Sequence, residues 1–244
     1  MSFNLPTEQI ELPSKGLVYP ESSPLSSGKI EMKYMTAKEE DILTNSNYIA
    51  DGTVLDRLMK SLIVSNINYD DLIIGDKNAI MVAARILGYG KDYTFTYAGS
   101  EQTVDLTTLE NKEIDESIYT RGGNEFEFEL PQSSNKVTFK LLTHKDEQDI
   151  NKELDALKRL NKEGSAELTT RLRFMITSVN GDTSKSTVND FVNNYLLAQD
   201  SRSLREHVSS IQPDVDLTFF PSGSKIKRNL PLGVKFFWPD SDFS

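Results

Sequence analysis

The sequence contains no cysteine and only two histidines among its 244 residues. The absence of cysteine excludes disulfides, thiolate nucleophiles, iron–sulfur clusters and cysteine-ligated zinc. A histidine-based triad would have to use His144, which opens a helical segment, or His207, which lies near a helix end. A capping or surface role explains each of them, because zinc needs three or four convergent ligands. We therefore predict no metal site.

The common motifs of catalysis and cofactor binding are missing as well. There is no Gly-x-Ser-x-Gly elbow, no Walker loop and no Gly-x-Gly-x-x-Gly fingerprint. Acidic clusters do occur, at residues 39–41, 70–71 and 146–149. Capping and solvation explain them, because acids favour the first turn of a helix. The enzymatic alternative is a carboxylate-dependent hydrolase, which would need two carboxyl groups about 5–10 Å apart in a cleft. We predict no catalytic residue and no cofactor.

Basic charge is also in short supply, with 27 Lys and Arg against 37 Asp and Glu, and a net charge of −10. This balance argues against general nucleic-acid binding, which requires a basic surface to displace counterions. Long apolar runs are lacking too, since the richest stretch, Ile80–Leu87, contains Arg85 and is too short to span a bilayer. The first residues do not resemble a signal peptide. We expect a soluble, cytoplasmic-type protein with no membrane partner.

Residues 1–28 are expected to form an extended, irregular N-terminal arm. Four prolines in this segment, at positions 6, 13, 20 and 24, are incompatible with a helix or a central strand. Apolar side chains nevertheless recur, and we consider Leu12, Leu17 and Tyr19 candidate partner contacts. Two interpretations remain open: the arm packs on its own domain, or it reaches a neighbouring subunit, which would make the protein a homo-oligomer.

Residues 29–142 are expected to form a mixed α/β domain. Alternation predicts a strand over 29–35, and Thr36 with Glu39 predicts a capping box for a short helix ending near Leu43. A polar loop over 45–52 precedes a core helix over 54–63, and Asp76 is expected to cap a third helix that ends at Gly88 or Gly90.

After Gly90 the apolar residues recur at every second position, which is typical of a strand. Alternation predicts a hairpin, with strands over 93–97 and 103–106 around the turn at 98–100. Two more alternating stretches, 126–129 and 136–141, favour antiparallel pairing because lysines of the second can lie beside glutamates of the first. The middle of the chain therefore predicts a small antiparallel sheet.

Residues 143–212 are expected to be helical. Thr143 and Asp146 form a capping pattern, and a narrow apolar stripe of coiled-coil width follows at Ile150, Leu154, Leu157 and Leu160. We consider Leu154 and Leu157 candidate partner contacts. A second helix is expected over 168–179 after a break at Gly164, giving an α-hairpin. Further short helices are expected after a Thr187 cap and around Leu204.

Residues 213–244 are expected to form a β and irregular tail that is basic and aromatic. The cations of residues 225–235 are followed by Phe236, Phe237 and Trp238, which we consider candidate partner contacts. Three interpretations remain open: the tail closes its own core, anchors to another protein, or binds nucleic acid by stacking. The fold class predicted from all four segments is α+β, with helical N-terminal and C-terminal parts around a small antiparallel sheet.

Three segments, read together, carry a family resemblance. They are ELPSKGLVYP at residues 11–20, MTAKEEDIL at 35–43 and GDKNAIMVAARILGYGKDY at 75–93. With these segments the chain resembles the T4-like bacteriophage baseplate family, whose members are hub subunits or hub assembly factors of contractile tails. The likeness covers about the first 110 residues. Some relatives carry cysteine pairs in the hairpin after the Gly-Tyr-Gly stop, and this chain has none.

The resemblance implies a function without catalytic residues. The expected function is that of a baseplate hub assembly protein, a non-enzymatic, chaperone-like factor that contacts other phage hub proteins in the host cytoplasm. The arm and the tail would supply exchangeable anchors. The alternative is a structural hub subunit incorporated in the virion.

Overall fold

The fold is described by a computed structural model that covers residues 5–159 and 166–237. It is an α+β fold, in which small antiparallel sheets lie between helices along the chain, as predicted from the sequence. The helices are α1 (Ala37–Leu43), α2 (Ser46–Ala50), α3 (Val54–Leu62), α4 (Ile74–Tyr89), α5 (His144–Arg159), α6 (Glu167–Met175), α7 (Lys185–Asp190) and α8 (Ala198–Ile211). The strands are β1 (Thr7–Glu11), β2 (Lys29–Lys33), β3 (Asp92–Tyr97), β4 (Ser100–Asp105), β5 (Phe126–Glu129), β6 (Lys136–Phe139), β7 (Ile176–Val179), β8 (Thr218–Phe219) and β9 (Arg228–Asn229).

The strands pair antiparallel in the orders β1-β2, β3-β4, β5-β6-β7 and β8-β9. The predicted hairpin is confirmed, and its tight turn places Ala98 and Gly99 at φ of 49° and 80°. The predicted pairing of the central strands is also confirmed, and Lys136 lies opposite Glu129 in the register. Opposite charges at facing positions favour this alignment.

The predicted capping box at the start of α1 is confirmed. Glu39 Oε2 accepts hydrogen bonds from the backbone N–H and the hydroxyl of Thr36. Its Oε1 accepts from Lys33 and Ser61, so that this fully buried carboxylate has four donors. Burial by itself would raise the pKa of Glu39, but these hydrogen bonds outweigh it and lower the pKa to about 2. The buried charge therefore ties α1 to β2 and α3.

Helix α4 is buried over much of its length. It begins at Ile74 rather than being capped by Asp76, and it ends before Gly90, whose φ is 83°. Gly75 allows the chain near Pro213 to approach closely, because a Cβ at this position would lie 1.7 Å from the Pro213 carbonyl oxygen. No larger residue fits there unless one backbone segment moves.

Several local predictions are wrong. The second C-terminal helix stops at Met175, and residues 176–179 form β7 beside β6. The polar loop at 45–52 contains α2, the helix near Thr187 is capped by Ser184, and the helix around Leu204 spans fourteen residues. The N-terminal arm includes β1 and is not wholly irregular. Leu160 and Gly164 lie outside the described residues.

One hydrophobic core draws side chains from all four predicted segments. Leu12 comes from the N-terminal arm, Met32 and Phe139 from the mixed domain, Leu204 from the helical region, and Phe236 from the tail. Each of them is at most 2% exposed. The arm and the tail are therefore parts of the core in this structure.

Candidate functional site

The N-terminal arm is held against α4 by a buried polar cluster. Asp76 accepts hydrogen bonds from the Ser14 backbone N–H at 2.9 Å, the Ser14 hydroxyl at 2.6 Å and the Tyr19 hydroxyl at 2.6 Å. The Tyr19 hydroxyl also accepts from the backbone N–H of Ile73 at 3.0 Å. Ser14 and Asp76 are fully buried and Tyr19 nearly so, which makes this contact specific as well as apolar.

The electrostatics of this cluster differ from those at Glu39. Burial raises the pKa of Asp76 to about 6, opposed by the hydrogen bonds from Ser14 and Tyr19 and assisted by the charge of Asp214. Burial, and after it the neighbouring Asp76 carboxylate, raises the pKa of the Tyr19 hydroxyl. A carboxylate without a cation as partner is costly in such a setting, so the cluster depends on its hydrogen bonds.

The aromatic tail is held at the other end of α4. Arg85 is 2% exposed and donates to three backbone carbonyls: from Nε to Phe236 at 2.9 Å, from Nη1 to Gly90 at 3.0 Å and from Nη2 to Asp92 at 3.1 Å. Phe236 packs edge-on to Tyr93, with 4.8 Å between ring centroids. The guanidinium thereby joins the tail to the helix and to the hairpin that follows it.

These contacts correct the expected roles of the arm and the tail. Leu12, Tyr19, Phe236 and Phe237 are buried in the chain's own core, and Leu17 is half-buried. No partner can reach the four buried side chains unless the fold opens, so they are not exposed anchors. The structure agrees with the other interpretation of each segment. The arm packs on its own domain, and the tail closes the core. Trp238 lies outside the described residues.

The narrow stripe on α5 is partly covered by the neighbouring helix α6. Ile150 is buried, whereas Leu154 and Leu157 are half-buried. Arg171 forms a bidentate ion pair with Glu147, with N–O distances of 2.6 and 3.0 Å. The predicted helix pair is therefore present, and Leu154 and Leu157 keep some exposure beside it.

His144 is not on the surface, contrary to expectation. It is 2% exposed, and its Nδ1 lies 3.0 Å from Lys77 Nζ while its Nε2 lies 3.3 Å from Asp56 Oδ2. Lys77 also donates to Asp56 at 2.8 Å, and Tyr69 packs edge-on to the imidazole. Burial and the neighbouring lysine lower the pKa of His144, which favours the neutral form of the ring. The sequence signal that could have indicated its burial is the apolar pair Leu141-Leu142 shortly before it, and both leucines are buried in the structure.

The other histidine, which was expected on the surface, is half-buried. The His207 ring stacks on Phe128, with 4.6 Å between centroids, and burial lowers its pKa.

The acidic clusters singled out above lie at the starts of helices and turns. Glu39 completes the α1 capping box, and Asp146 accepts from Thr143 and Lys140 at the start of α5. Asp70 and Asp71 lie in a short 3-10 turn. Within residues 5–159 and 166–237, no three His, Asp or Glu side chains converge to hold a metal ion. These carboxylates therefore act as caps and ion-pair partners.

Exposed apolar and basic side chains meet on the hairpin β8-β9. Phe220 is 59% exposed and Ile226 is 60% exposed. Lys225, Lys227 and Arg228 are exposed on the same hairpin. We call these five residues the 220–228 patch. The sequence already singled out the cations of this region, but the aromatic contacts were expected at Phe236, Phe237 and Trp238, because a sequence does not reveal which aromatic side chains are buried.

The cavities on the described surface include two small, open ones. One of about 290 Å³ is bounded by Lys60, Tyr69 and neighbouring residues, and one of about 230 Å³ lies beside α8 near Arg205. Both are at or below the usual size of small-molecule sites. Across the same described ranges, no helix has the length and apolar character needed to cross a membrane.

Comparison of the chain with models of protein families, with curated proteins and with solved structures gave no match.

Proposed function

We propose that this chain is an assembly protein of a phage tail baseplate hub and acts through contacts with other hub proteins. It acts as a transient, non-enzymatic factor in the host cytoplasm. The proposal starts from the three sequence segments that resemble the T4-like baseplate family, and it is supported by how those segments meet in space.

The observation that carries the proposal is the convergence of all three segments on α4. Ser14 and Tyr19 of the first segment bind Asp76 of the third. Met35 of the second segment lies against the third, since a Cβ on Gly88 would be 2.8 Å from Met35 Cε. The resemblance therefore rests on one packed unit and not on three unrelated stretches.

Such a factor cannot use the arm and the tail as exchangeable anchors for its partners, because their apolar side chains are buried in its own core. It must make its contacts in another way. A rigid body that presents exposed apolar side chains meets the same need. Among the described residues, the large apolar side chains that are at least 40% exposed are Leu5, Ile49, Val64, Ile118, Leu168, Tyr195, Leu197, Phe220 and Ile226. A hub component would bind such side chains and be held ready for docking.

The test is binding of the purified full chain to each purified hub protein of its own phage. We expect a stable complex with at least one of them, and an excess of a cytoplasmic host protein as competitor should not displace it. If no hub protein binds, the proposal is contradicted.

Quantitative mass spectrometry of purified virions distinguishes the two forms of the proposal. A transient factor is absent from the virion, or present far below the amount of the hub subunits. A stoichiometric amount would replace it with the alternative, a structural hub subunit.

A further inference from the structure

We propose that the 220–228 patch is the docking surface for an acidic segment of another hub protein, one that also carries an exposed apolar side chain. This inference rests on the proposed function and names the chemistry of the partner. The patch is held in place, two of its cations have unused donors, and its charge is opposite to the net charge of the chain.

The hairpin that carries the patch is fixed from beneath. Phe219 is buried and packs edge-on to Phe95 and Tyr97, with centroid distances of 5.0 and 5.6 Å. The loop is tied to β4, because Gln102 Oε1 accepts from the Ser222 backbone N–H at 2.9 Å and from its hydroxyl at 3.1 Å. A surface fixed in this way loses little conformational freedom on binding.

Two of the three cations keep donors for a partner. Lys227 is paired with Asp216 at 2.8 Å and lies over the Phe220 ring. Arg228 uses Nε to donate to the Tyr97 hydroxyl at 3.1 Å. Among the described residues, neither Lys225 nor Arg228 has a carboxylate partner. The two terminal nitrogens of Arg228 form the fork that matches a carboxylate.

Charge complementarity selects the partner. The chain has a net charge of −10, and the patch is a basic site on it. The net negative charge of the chain disfavours an acidic partner on average, whereas the patch attracts one, which favours one orientation of docking. The exposed side chains of Phe220 and Ile226 would supply the apolar contact at the centre. Three cations on an acidic chain are too few for strong nucleic-acid binding, because that affinity grows with the number of phosphates neutralised.

The experiment measures dissociation constants between the full chain and each hub protein that binds it, at low and at high salt. The charge variant is Lys225→Glu with Arg228→Glu, and the apolar variant is Phe220→Ser with Ile226→Ser. The matched control is Lys152→Glu with Lys158→Glu on α5, which changes the net charge equally at exposed positions. All substituted side chains are exposed, so thermal unfolding should match the wild type.

We expect each patch variant to weaken binding about tenfold or more, and the control to change it less than about twofold. Wild-type affinity should fall with salt, and the charge variant should lose most of that dependence. If a hub protein binds the wild type and both patch variants equally, the patch proposal is overturned while the proposed function stands. If the wild type binds DNA and the charge variant loses that binding, the patch is a DNA site and the patch proposal is overturned as well. If no hub protein binds the wild type, both proposals fail.

Discussion

The Tyr19 hydroxyl donates to Asp76 at 2.6 Å and accepts from the backbone N–H of Ile73 at 3.0 Å. Through this one group the N-terminal arm satisfies a buried carboxylate and a backbone N–H at the start of α4. Asp76 and Arg85 lie on the same helix, so one buried acid holds the first part of the chain and one buried base holds the last.

Substitution of Tyr19 tests this arrangement. Tyr19→Phe removes one donor to Asp76 and leaves the Ile73 N–H without its acceptor, so the free energy of unfolding should fall by about 1–3 kcal/mol. Urea unfolding at neutral pH measures the change. The control is Tyr34→Phe, because the Tyr34 hydroxyl donates to Glu8 in an exposed setting, and its effect should stay within about 0.5 kcal/mol. Equal effects of the two variants would contradict the arrangement.

The raised pKa of Asp76 predicts a pH dependence of stability. The folded protein holds this proton up to a pH of about 6, whereas the unfolded chain releases it near 3.8, so folding binds a proton between those values. The stabilisation is complete below the unfolded pKa and is lost as the pH rises through the folded pKa. A difference between 3.8 and about 6 corresponds to about 3 kcal/mol at most.

Asp76→Asn isolates this contribution. Glu39, whose folded pKa is low, contributes stability that is lost as the pH falls, but it does so in both proteins. The unfolding free energy of the wild type minus that of the variant should therefore decline from about pH 4 to about pH 6. A difference that is flat across this range would show that Asp76 titrates normally.

Arg85 should be essential for seating the tail. Arg85→Met removes the donors to three carbonyls and should lower the free energy of unfolding by about 3 kcal/mol or more. Arg85→Lys should not rescue it, because an ammonium cannot reproduce the planar fork. Hydrogen exchange over residues 234–237 should accelerate more than that of the central sheet. Arg202→Met, which removes an exposed ion pair with Glu206, is the control and should have little effect.

Two glycines of α4 should differ in how well they tolerate substitution by alanine. Gly75→Ala would place a Cβ 1.7 Å from the Pro213 carbonyl oxygen, a backbone atom, and should cost about 3 kcal/mol or more. Gly88→Ala meets the far end of the Met35 side chain, which can move, and alanine favours the helix by up to about 1 kcal/mol. Thermal unfolding of the two variants should separate them clearly. A similar loss in both would contradict the close approach at Gly75.

Sequence signals that are local predicted the fold well. The Thr36–Glu39 capping box, the Ala98-Gly99 turn and the alternation around Phe126 and Val137 each depend on a few neighbouring residues, and all were confirmed.

Features that depend on distant partners were missed. Met175, Ile176 and Val179 fit helical spacing, yet residues 176–179 extend the sheet because β6 offers an open edge. Asp76 has the usual chemistry of a cap, but its role is set by Ser14, 62 positions away in sequence. Phe236 and Phe220 are both aromatic tail residues, and only the fold shows that the first is buried and the second exposed.

Hub formation in infected cells tests the central claim most directly. Cells are infected with phage that lack this chain, and hub proteins are separated by sedimentation and quantified. We predict that hub proteins accumulate unassembled, that complete hubs are missing, and that the wild-type chain supplied in trans restores them. Hubs that form at the normal rate and yield without this chain would contradict its role in assembly.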